Sequence, residues 1–295
     1  MHLCYLSSRM HLCYLSSRVT MPGSPVRRSD AFEHDQMMEN LTAAFEARGA
    51  KVTDVSWDDK DVDWASFDAV MIGTTWDYWD RLDEFLATLE VIESKTRLYN
   101  ASSLVRWNID KRYLKDLEGR GARLIPTIWA DKATPEVIAD AFEAFGTDKI
   151  VAKRQVGAGA DGQHMIKRGD AVPDMPHPMM IQPFMSSIVE EGELSFIFIG
   201  GKMSHTLLKT AAKGDYRIQS AYGGMETTVE PAAEDVAQAA KALAAAPIEP
   251  LYARVDMIRA EDGGLYLMEM ELIEPFLYPL QGPELGARIY EVLQA

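Results

Sequence analysis

Apolar and polar residues along the first hundred positions follow strand and helix periodicities in turn. Within 31–48 the apolar residues recur three and four positions apart, as on one face of a helix, and Gly49 follows as a C-cap. Short apolar runs on either side predict buried strands. The predicted elements are strands 11–15, 51–55, 69–73 and 97–99 and helices 31–48 and 82–92. Their alternation predicts an α/β domain, which we place at residues 10–103.

The remainder of the chain contains more strands than helices. The predicted helices are 107–119, 135–145 and 233–245. The predicted strands are 127–129, 150–153, 164–167, 179–182, 194–199, 204–209, 216–219, 253–258 and 265–271. A strand-rich module after an α/β domain predicts the fold class α/β plus α+β.

Charge and hydropathy exclude two classes of protein. The 295 residues carry a formal net charge of −15, and no basic stripe offsets it, so a nucleic acid would be repelled. Apolar runs fall short of the roughly 20 residues that span a bilayer, and the start lacks a signal-peptide pattern. We therefore expect a cytoplasmic protein with neither a nucleic-acid nor a membrane partner.

The nonapeptide MHLCYLSSR occurs twice, at 1–9 and at 10–18. Units of a repeat fold are 20 or more residues long and diverge, so we interpret the first copy as an artefact of duplication. The second copy is predicted to form the first strand, with the first copy disordered or attached at a surface. Cys4 and Cys13 fall at the same place in the two copies and do not indicate a disulfide framework.

An acidic group on two predicted strands is the first candidate for chemistry. Glu269 and Glu271 lie two positions apart on one strand, so their side chains share a face, and Asp256 lies on the preceding strand of a predicted hairpin. Three carboxylates that converge would suit Mg²⁺, which bridges carboxylates to nucleotide phosphates. The same spacing is also typical of the solvent face of a strand.

A glycine-rich loop is the second candidate. Lys153 ends an apolar strand, and the loop from Gly157 to Gly162 follows it. An ammonium beside free backbone amides can hold phosphate oxygens, and glycine lets the backbone approach them closely. The pattern is neither a Walker loop nor a dinucleotide fingerprint. A hairpin turn would explain the glycines equally well.

Six motifs follow one another in a characteristic order. They are Asn108-x-Asp110-Lys111, Lys153 with Gly157–Gly162, Met180–Met185, Glu190-Glu191, Gly214–Gln219 with Gly223-Gly224, and Asp256 with Glu269 and Glu271. From about Trp107 to the C-terminus the chain thereby resembles the ATP-grasp superfamily, particularly its ribosomal-protein glutamate ligase and glutathione synthetase branch. Gln219 and Glu271 stand where many members have asparagine; a glutamate still offers oxygen to Mg²⁺.

The resemblance implies an ATP-grasp fold with an N-terminal pre-ATP-grasp α/β domain. Residues 104–180 would form the small lid subdomain and 181–295 the C-terminal catalytic subdomain. The implied activity is that of an ADP-forming ligase that makes carbon–nitrogen bonds through an acyl phosphate. The implied cofactors are ATP and one or two Mg²⁺ ions, with Mn²⁺ as the alternative ion.

The resemblance also implies roles for individual residues. Nucleotide binding is expected of Lys111, Lys153, Gly157, Gly159, Asp161, Gly162, Gln182, Pro183, Phe184, Glu190 and Glu191. Metal binding is expected of Asp256, Glu269 and Glu271, and catalytic contacts of Arg217 and Lys209. Substrate contacts are expected of Thr75, Trp76, Asp77, Gly223, Gly224 and Glu274. His205, on the same strand face as Lys209, is either a substrate contact or a structural residue.

Four segments are similar to a smaller group that includes the O-ureido-serine cyclo-ligase of cycloserine biosynthesis. They are 107–114, 157–162, 204–205 and 268–275. This similarity implies a small amino-acid-like substrate that its own aminooxy nitrogen cyclises. An intermolecular amino-acid or peptide ligase and a non-catalytic ATP-binding regulator remain alternatives. We also expect a homo-oligomer, a dimer or higher, from the prevalence of such assemblies.

Overall fold

Three β-sheets organise the computed structural model, which describes residues 10–157, 162–212 and 223–295. The strands are β1 His11–Ser16, β2 Lys51–Ser56, β3 Ala69–Ile72, β4 Arg97–Tyr99, β5 Ile128–Ala130, β6 Lys149–Arg154, β7 His164–Lys167, β8 Met179–Pro183, β9 Glu193–Ile199, β10 Lys202–Thr210, β11 Met225–Thr228, β12 Tyr252–Arg259 and β13 Leu265–Glu271. The helices are α1 Phe32–Glu46, α2 Leu82–Glu93, α3 Ser102–Asn108, α4 Tyr113–Gly119, α5 Pro135–Phe145, α6 Ser187–Glu190, α7 Ala233–Ala244 and α8 Leu285–Gln294.

The N-terminal sheet is parallel, with the strand order β2-β1-β3-β4. Its central strands are continuous apolar runs because helices cover both faces, and β3 is buried throughout. The C-terminal helix α8, which the sequence patterns did not predict, packs against α1 through Leu285 and Ile289. The carboxyl ends of β1 and β3 lead into polar loops, where ligands bind in open α/β sheets.

The second sheet is antiparallel, with the order β5-β8-β6-β7, and α5 packs against it. β8 continues to Pro183, so the division predicted after residue 180 falls inside this strand. The glycine-loop residues 157–162 fall between β6 and β7 in the chain, and β7 is an edge strand of this sheet.

The third sheet has five antiparallel strands in the order β11-β10-β9-β12-β13. One face packs against α3, α4 and α7 around Phe196, Val255 and Leu267. Asn100 joins this sheet to the N-terminal domain, because its side-chain amide donates to the carbonyl oxygens of Tyr252 and Leu272. The N-terminal domain is thereby fixed beside the end of β13.

The single helix predicted at 107–119 is wrong. α3 ends at Asn108 and α4 starts at Tyr113. Between them the Lys111 amide donates to Gln155 O at 2.8 Å, and Asp110 pairs with Val156 in an antiparallel bridge. The backbone of this break therefore bonds to the end of β6 instead of continuing the helix.

The other predicted elements that fall on described residues are confirmed to within a few positions, and β11 and α6 are additional. The strand predicted at 216–219 and the first nonapeptide copy lie outside the described residues. Among the residues that are described, no helix combines the length and apolarity needed to cross a membrane.

Candidate active site

The three acidic residues predicted to bind metal lie on neighbouring strands of the five-stranded sheet. Asp256 on β12 pairs with Glu269 on β13, and Glu271 lies two positions further along β13 on the same face. Asp256 is buried, whereas the side chains of Glu269 and Glu271 are 35% and 30% exposed. The carboxylates therefore line a site that is closed on the β12 side and open on the β13 side.

Lysine side chains approach two of these carboxylates. Lys111 Nζ lies 2.5 Å from Glu269 Oε1, and Lys209 Nζ lies 3.3 Å from Asp256 Oδ1. Lys209 also pairs with Glu193 on β9 at 2.9 Å. Burial and Arg254 lower the pKa of Lys209, but Asp256, Glu193 and Tyr278 together raise it by more, so this lysine stays charged. Lys209 thus lies within the cluster and holds Asp256 in place.

Arg254 completes the neutralisation of the cluster. Its Nε lies 3.0 Å from Asp256 Oδ2, and its guanidinium also pairs with Glu271. A further hydrogen bond goes to the Phe276 carbonyl oxygen at 3.3 Å. We did not predict a role for Arg254, although its position two residues before Asp256 on one strand places both side chains on the same face.

Tyr278 was missed as well. Its ring centroid lies 5.6 Å from Lys209 Nζ and 5.8 Å from Arg254 Cζ, so it packs beside the two cations that hold Asp256. Its backbone φ of 52° is rare for a residue other than glycine. No sequence pattern marks a tyrosine that will adopt this conformation.

Repulsion between the acids appears in their pKa values. Burial, together with Glu269 and Asp256, raises the pKa of Glu271 to about 7 against the opposing effect of Arg254. Burial also acts to raise the pKa of Asp256, but Arg254 and Lys209 outweigh it, so that pKa lies below its usual value. A divalent cation between these residues would favour the ionised form of Glu271.

Lysine and arginine side chains lie directly beside the carboxylates that are predicted to bind metal. In residues 10–157, 162–212 and 223–295, no group of three acidic, histidine or cysteine side chains has an arrangement that could hold a metal ion as it stands. The donor atoms themselves are carboxylate oxygens, which are the ligands that Mg²⁺ prefers. The donor set therefore fits Mg²⁺, provided that the cationic side chains turn away when the ion binds.

Lys111 reaches the cluster from the break between α3 and α4. Its Nζ donates to the Gly157 carbonyl oxygen at 3.0 Å as well as to Glu269. Burial lowers its pKa, but Glu269, Glu271 and Glu274 together raise it by more. Lys111 therefore links the first residue of the glycine loop to the acidic strand.

Lys153 faces the same site from the second sheet. The pKa of Lys153 lies below its ordinary value. Burial and the neighbouring Lys111 lower it, and they outweigh Glu269 and Glu193, which raise it. Within the described part of the chain no ion pair neutralises its ammonium. A partly buried lysine without a counter-ion, close to Lys111, favours an anionic ligand between the two ammonium groups.

The two ends of the glycine loop are described. Gly157 has φ 144° and Gly162 has φ 66°, values that favour glycine. A Cβ on Gly162 would also lie 2.6 Å from Arg154 Cδ. Gly159 and Asp161, predicted to bind nucleotide, lie outside the described residues.

Residues 182–184, which are predicted to bind nucleotide, lie at the end of β8 and just beyond it. Gln182 is buried, and its side-chain nitrogen donates to Thr127 Oγ1 at 2.9 Å. Pro183 still pairs with β6, and the Phe184 amide donates to Lys149 O at 3.0 Å. The side-chain amide of Gln182 and the backbone amide of Phe184 therefore already have acceptors within the protein, and nucleotide binding by this segment stays a prediction.

Glu190 and Glu191, which are predicted to bind nucleotide, are both exposed. Glu191 forms an ion pair with Arg259 at 3.4 Å. The acid of this region that enters the cluster is Glu193, which is buried against Lys209. Its position at the start of an apolar strand gave no signal that separated it from its exposed neighbours.

Two of the residues predicted to contact substrate lie next to each other. The Trp76 indole nitrogen donates to the Glu274 backbone carbonyl at 3.1 Å. Burial and repulsion by Glu271 raise the pKa of Glu274 to about 8, against the opposing effects of Lys111 and the Tyr78 hydroxyl. The loop after β3 therefore meets the end of β13 beside the acidic cluster.

The neighbouring predicted residues are held by the N-terminal domain. Asp77 accepts a hydrogen bond from the Trp57 indole at 2.7 Å and lies 3.5 Å from Arg81. Thr75 is buried, and its hydroxyl has no hydrogen-bond partner. The geometry thus favours Trp76 over Asp77 as a residue that faces the site.

Gly223 and Gly224 come directly before the edge strand β11. The preceding residues, including Arg217, lie outside the described part of the chain. Any contact of Arg217 or these glycines with substrate stays a prediction.

His205 is held as a structural residue and should make the protein less stable in acid. Its Nε2 contacts the Leu277 carbonyl oxygen at 3.0 Å, and burial lowers its pKa to about 4 from the ordinary 6.5. Between pH 6.5 and 4 this histidine is protonated in the unfolded chain but neutral in the folded protein. Stability that is present above pH 6.5 is therefore lost as the pH falls through 4. The loss is about 3 kcal/mol at most.

Urea unfolding of the wild type, His205→Gln and the exposed-site control His177→Gln between about pH 4 and 7.5 measures this loss. The loss of stability at acidic pH should be smaller in His205→Gln than in the wild type, and unchanged in His177→Gln. Equal pH dependence in all three proteins would contradict it.

Comparison with known proteins agrees with this architecture. A crystal structure of D-cycloserine synthetase DcsG superposes with a TM-score of 0.80 at 26% identity, covering 96% of this chain and 98% of that one. D-alanine–D-alanine ligase from Bacillus anthracis superposes with a TM-score of 0.65 at 15% identity, covering 97% of both chains. The ATP-grasp ligase PsnB, in its complex with a minimal precursor, Mg and ADP, gives 0.65 at 13%, covering 96% and 98%. The fold and site define an ATP-grasp ligase.

Sequence comparison then gives the family. Residues 17–100 match the family model of the N-terminal domain of D-cycloserine synthetase DcsG. The cycloserine biosynthesis protein DcsG of Streptomyces lavendulae is 31% identical over 265 residues, which cover 82% of this chain and 88% of that protein. The chain belongs to the DcsG family. The predicted fold class, superfamily and activity class, an ADP-forming ligase, are confirmed.

Proposed function

We propose that the protein activates the carboxylate of a small amino acid with ATP and closes a ring on it with a nitrogen of the same molecule. The substrate we propose is O-ureido-serine or a near relative, which the relationship to a cycloserine biosynthesis protein supports. The observation that carries ATP-dependent activation is the position of Lys153, an ammonium that pairs with no described acid, near the acidic cluster and Lys111.

The first step transfers a phosphoryl group. A carboxylate oxygen of the substrate attacks the γ-phosphorus of ATP, the bond from this phosphorus to the β–γ bridging oxygen breaks, and ADP leaves. Lys111 and Lys153 would contact phosphate oxygens and neutralise the charge that they carry. Asp256, Glu269 and Glu271 would hold one or two Mg²⁺ ions, or Mn²⁺, which supply Lewis-acid polarisation and orientation when bound.

The second step forms the ring. The nitrogen attached to the side-chain oxygen attacks the acyl carbon, a C–N bond forms, the C–O bond to phosphate breaks, and the nitrogen gives up its proton as phosphate leaves. Closure of the glycine loop over the site would exclude water and protect the acyl phosphate from hydrolysis.

Lys209 and Arg254 have a different part in this proposal. Both contact Asp256 directly and are buried. They would fix the orientation of the metal-binding carboxylates, and Lys209 would reach a phosphate only by leaving its acidic partners. Arg217 is proposed to contact the transferred phosphate.

The proposal is tested by measuring ADP and phosphate release with Mg-ATP and a panel of small amino acids, each alone and in pairs with amine acceptors. We expect release with O-ureido-serine alone and a product lighter than this substrate by the mass of one water molecule. Release only with a pair would mean an intermolecular ligase. Nucleotide binding without release for any member of the panel would mean a binding protein.

A further inference from the structure

We propose that Glu274, held by Trp76 and next to Tyr78, is the subsite for the α-ammonium group of the substrate. This inference rests on the proposed function and adds to it the recognition of one substrate group. It concerns a corner formed by two parts of the chain: the segment just beyond β13 and the loop after β3. The same corner lies beside the residues proposed to activate the substrate carboxylate.

The first observation is the charge at Glu274. Its side chain is partly exposed, and in the described ranges no lysine, arginine or histidine lies within ion-pair distance of it. The described cation that lowers its pKa is Lys111, which is paired with Glu269. Each of the three metal-cluster acids has a cationic partner, and among the described residues Glu274 has none, so a ligand ammonium would supply a counter-charge and favour the ionised form of Glu274.

The second observation is that Glu274 is held in position. The Trp76 indole nitrogen donates to its backbone carbonyl oxygen at 3.1 Å, and the neighbouring Tyr78 hydroxyl lowers the pKa of its carboxyl group. Tyr78 is itself buried between Trp79 and Phe85, with ring centroids at 5.4 and 4.9 Å. The loop after β3 thus fixes the backbone of the segment that carries Glu274. A carboxylate at a fixed position can select a ligand amine by its position as well as by its charge.

The third observation is the distance along the chain. Glu274 follows the metal-cluster acid Glu271 by three residues, and Coulombic repulsion links the two carboxylates. In an α-amino acid the ammonium and the carboxylate are attached to the same carbon. A substrate whose carboxylate lies at the phosphoryl-transfer site would therefore place its ammonium near Glu274, and the side-chain nitrogen would stay free to close the ring.

The experiment compares two ligands and four proteins by calorimetry in the presence of Mg²⁺ and a non-hydrolysable ATP analogue. The ligands are O-ureido-serine and 3-(ureidooxy)propanoate, which lacks only the amine. The proteins are the wild type, Glu274→Gln, Tyr78→Phe and the exposed-site control Glu261→Gln. Glutamine keeps the size of the side chain and removes its charge.

Glu274→Gln should weaken binding of O-ureido-serine by on the order of 10- to 100-fold. It should leave the affinity for 3-(ureidooxy)propanoate within about threefold of the wild type, since that ligand has no ammonium to lose. Tyr78→Phe should weaken O-ureido-serine by a smaller factor, and Glu261→Gln should change neither ligand. In turnover, KM for O-ureido-serine should rise and kcat should change little.

Equal losses for the two ligands, or a lower kcat with an unchanged KM, would overturn the inference. So would a wild type that binds both ligands equally well. Failure of the proposed function gives another result: the wild type would bind O-ureido-serine in an amine-dependent manner and release no ADP or cyclic product. The two proposals can therefore fail independently.

Discussion

Lys153→Ala is expected to reduce the rate of ADP formation by roughly 100- to 1,000-fold, because it removes a preorganised positive charge from the phosphoryl-transfer site. The fold should survive, since no ion pair of the described residues involves this ammonium. Removal of a partly buried cation that has no counter-ion among the described residues also relieves a desolvation cost. The free energy of unfolding should therefore be unchanged or slightly higher.

Steady-state ADP release and urea unfolding of the same preparation measure the two effects. Lys167→Ala is the matched control, because Lys167 lies on the adjacent strand β7 and is exposed. It should leave both quantities unchanged. ADP formation by Lys153→Ala at the rate of the control would mean that Lys153 does not contact the transferred phosphate.

Arg254→Met is expected to lower the free energy of unfolding by about 3–5 kcal/mol, because it leaves buried Asp256 and its neighbour Glu271 without their shared cation. Arg254 is itself buried, and its pKa lies well above the ordinary value: burial lowers it, but Asp256 and Glu271 outweigh burial. ADP formation should fall with stability, since both carboxylates lose the contact that orients them.

Arg123→Met is the control for this prediction. Arg123 forms an exposed ion pair with Asp262 at 2.7 Å, which contributes about 0–1 kcal/mol. Urea unfolding curves give the free energy of unfolding of each variant. ADP assays at a temperature where all the proteins are folded then measure activity separately from stability. A folded Arg254→Met enzyme with wild-type ADP release would show that Arg254 is not needed to orient the acids.

The fold was predictable largely because its elements carry strong local patterns. Apolar runs such as Ala69–Ile72 form strands in the structure, and the residues with helical spacing before Gly49 form a helix. The break at Ile109–Arg112 was not predictable from periodicity. It exists because Lys111 and Asp110 bond to residues 155–156, more than 40 positions away in the chain.

The candidate site was predictable where residues of like charge share a strand. Asp256, Glu269 and Glu271 follow from alternation along β12 and β13. The cations that neutralise them come from other elements, and their partners depend on packing. Arg254 and Glu193 were therefore missed, although both contact residues that the pattern had identified.

The substrate side depends most strongly on tertiary structure. Trp76 and Glu274 are almost 200 positions apart, and their contact arises where the N-terminal domain meets the end of β13. Sequence could propose each residue from its place after a strand. It could not show that the hydroxyl of Tyr78, which we did not single out, would affect the pKa of Glu274.

The central claim is that the substrate carboxylate receives a phosphoryl group from ATP before the ring closes. The most direct measurement uses O-ureido-serine labelled with ¹⁸O at both carboxylate oxygens and follows the label by mass spectrometry. The account predicts one ¹⁸O in the released phosphate, one in the cyclic product and none in ADP. Phosphate without ¹⁸O, or AMP that carries the label, would contradict activation as an acyl phosphate.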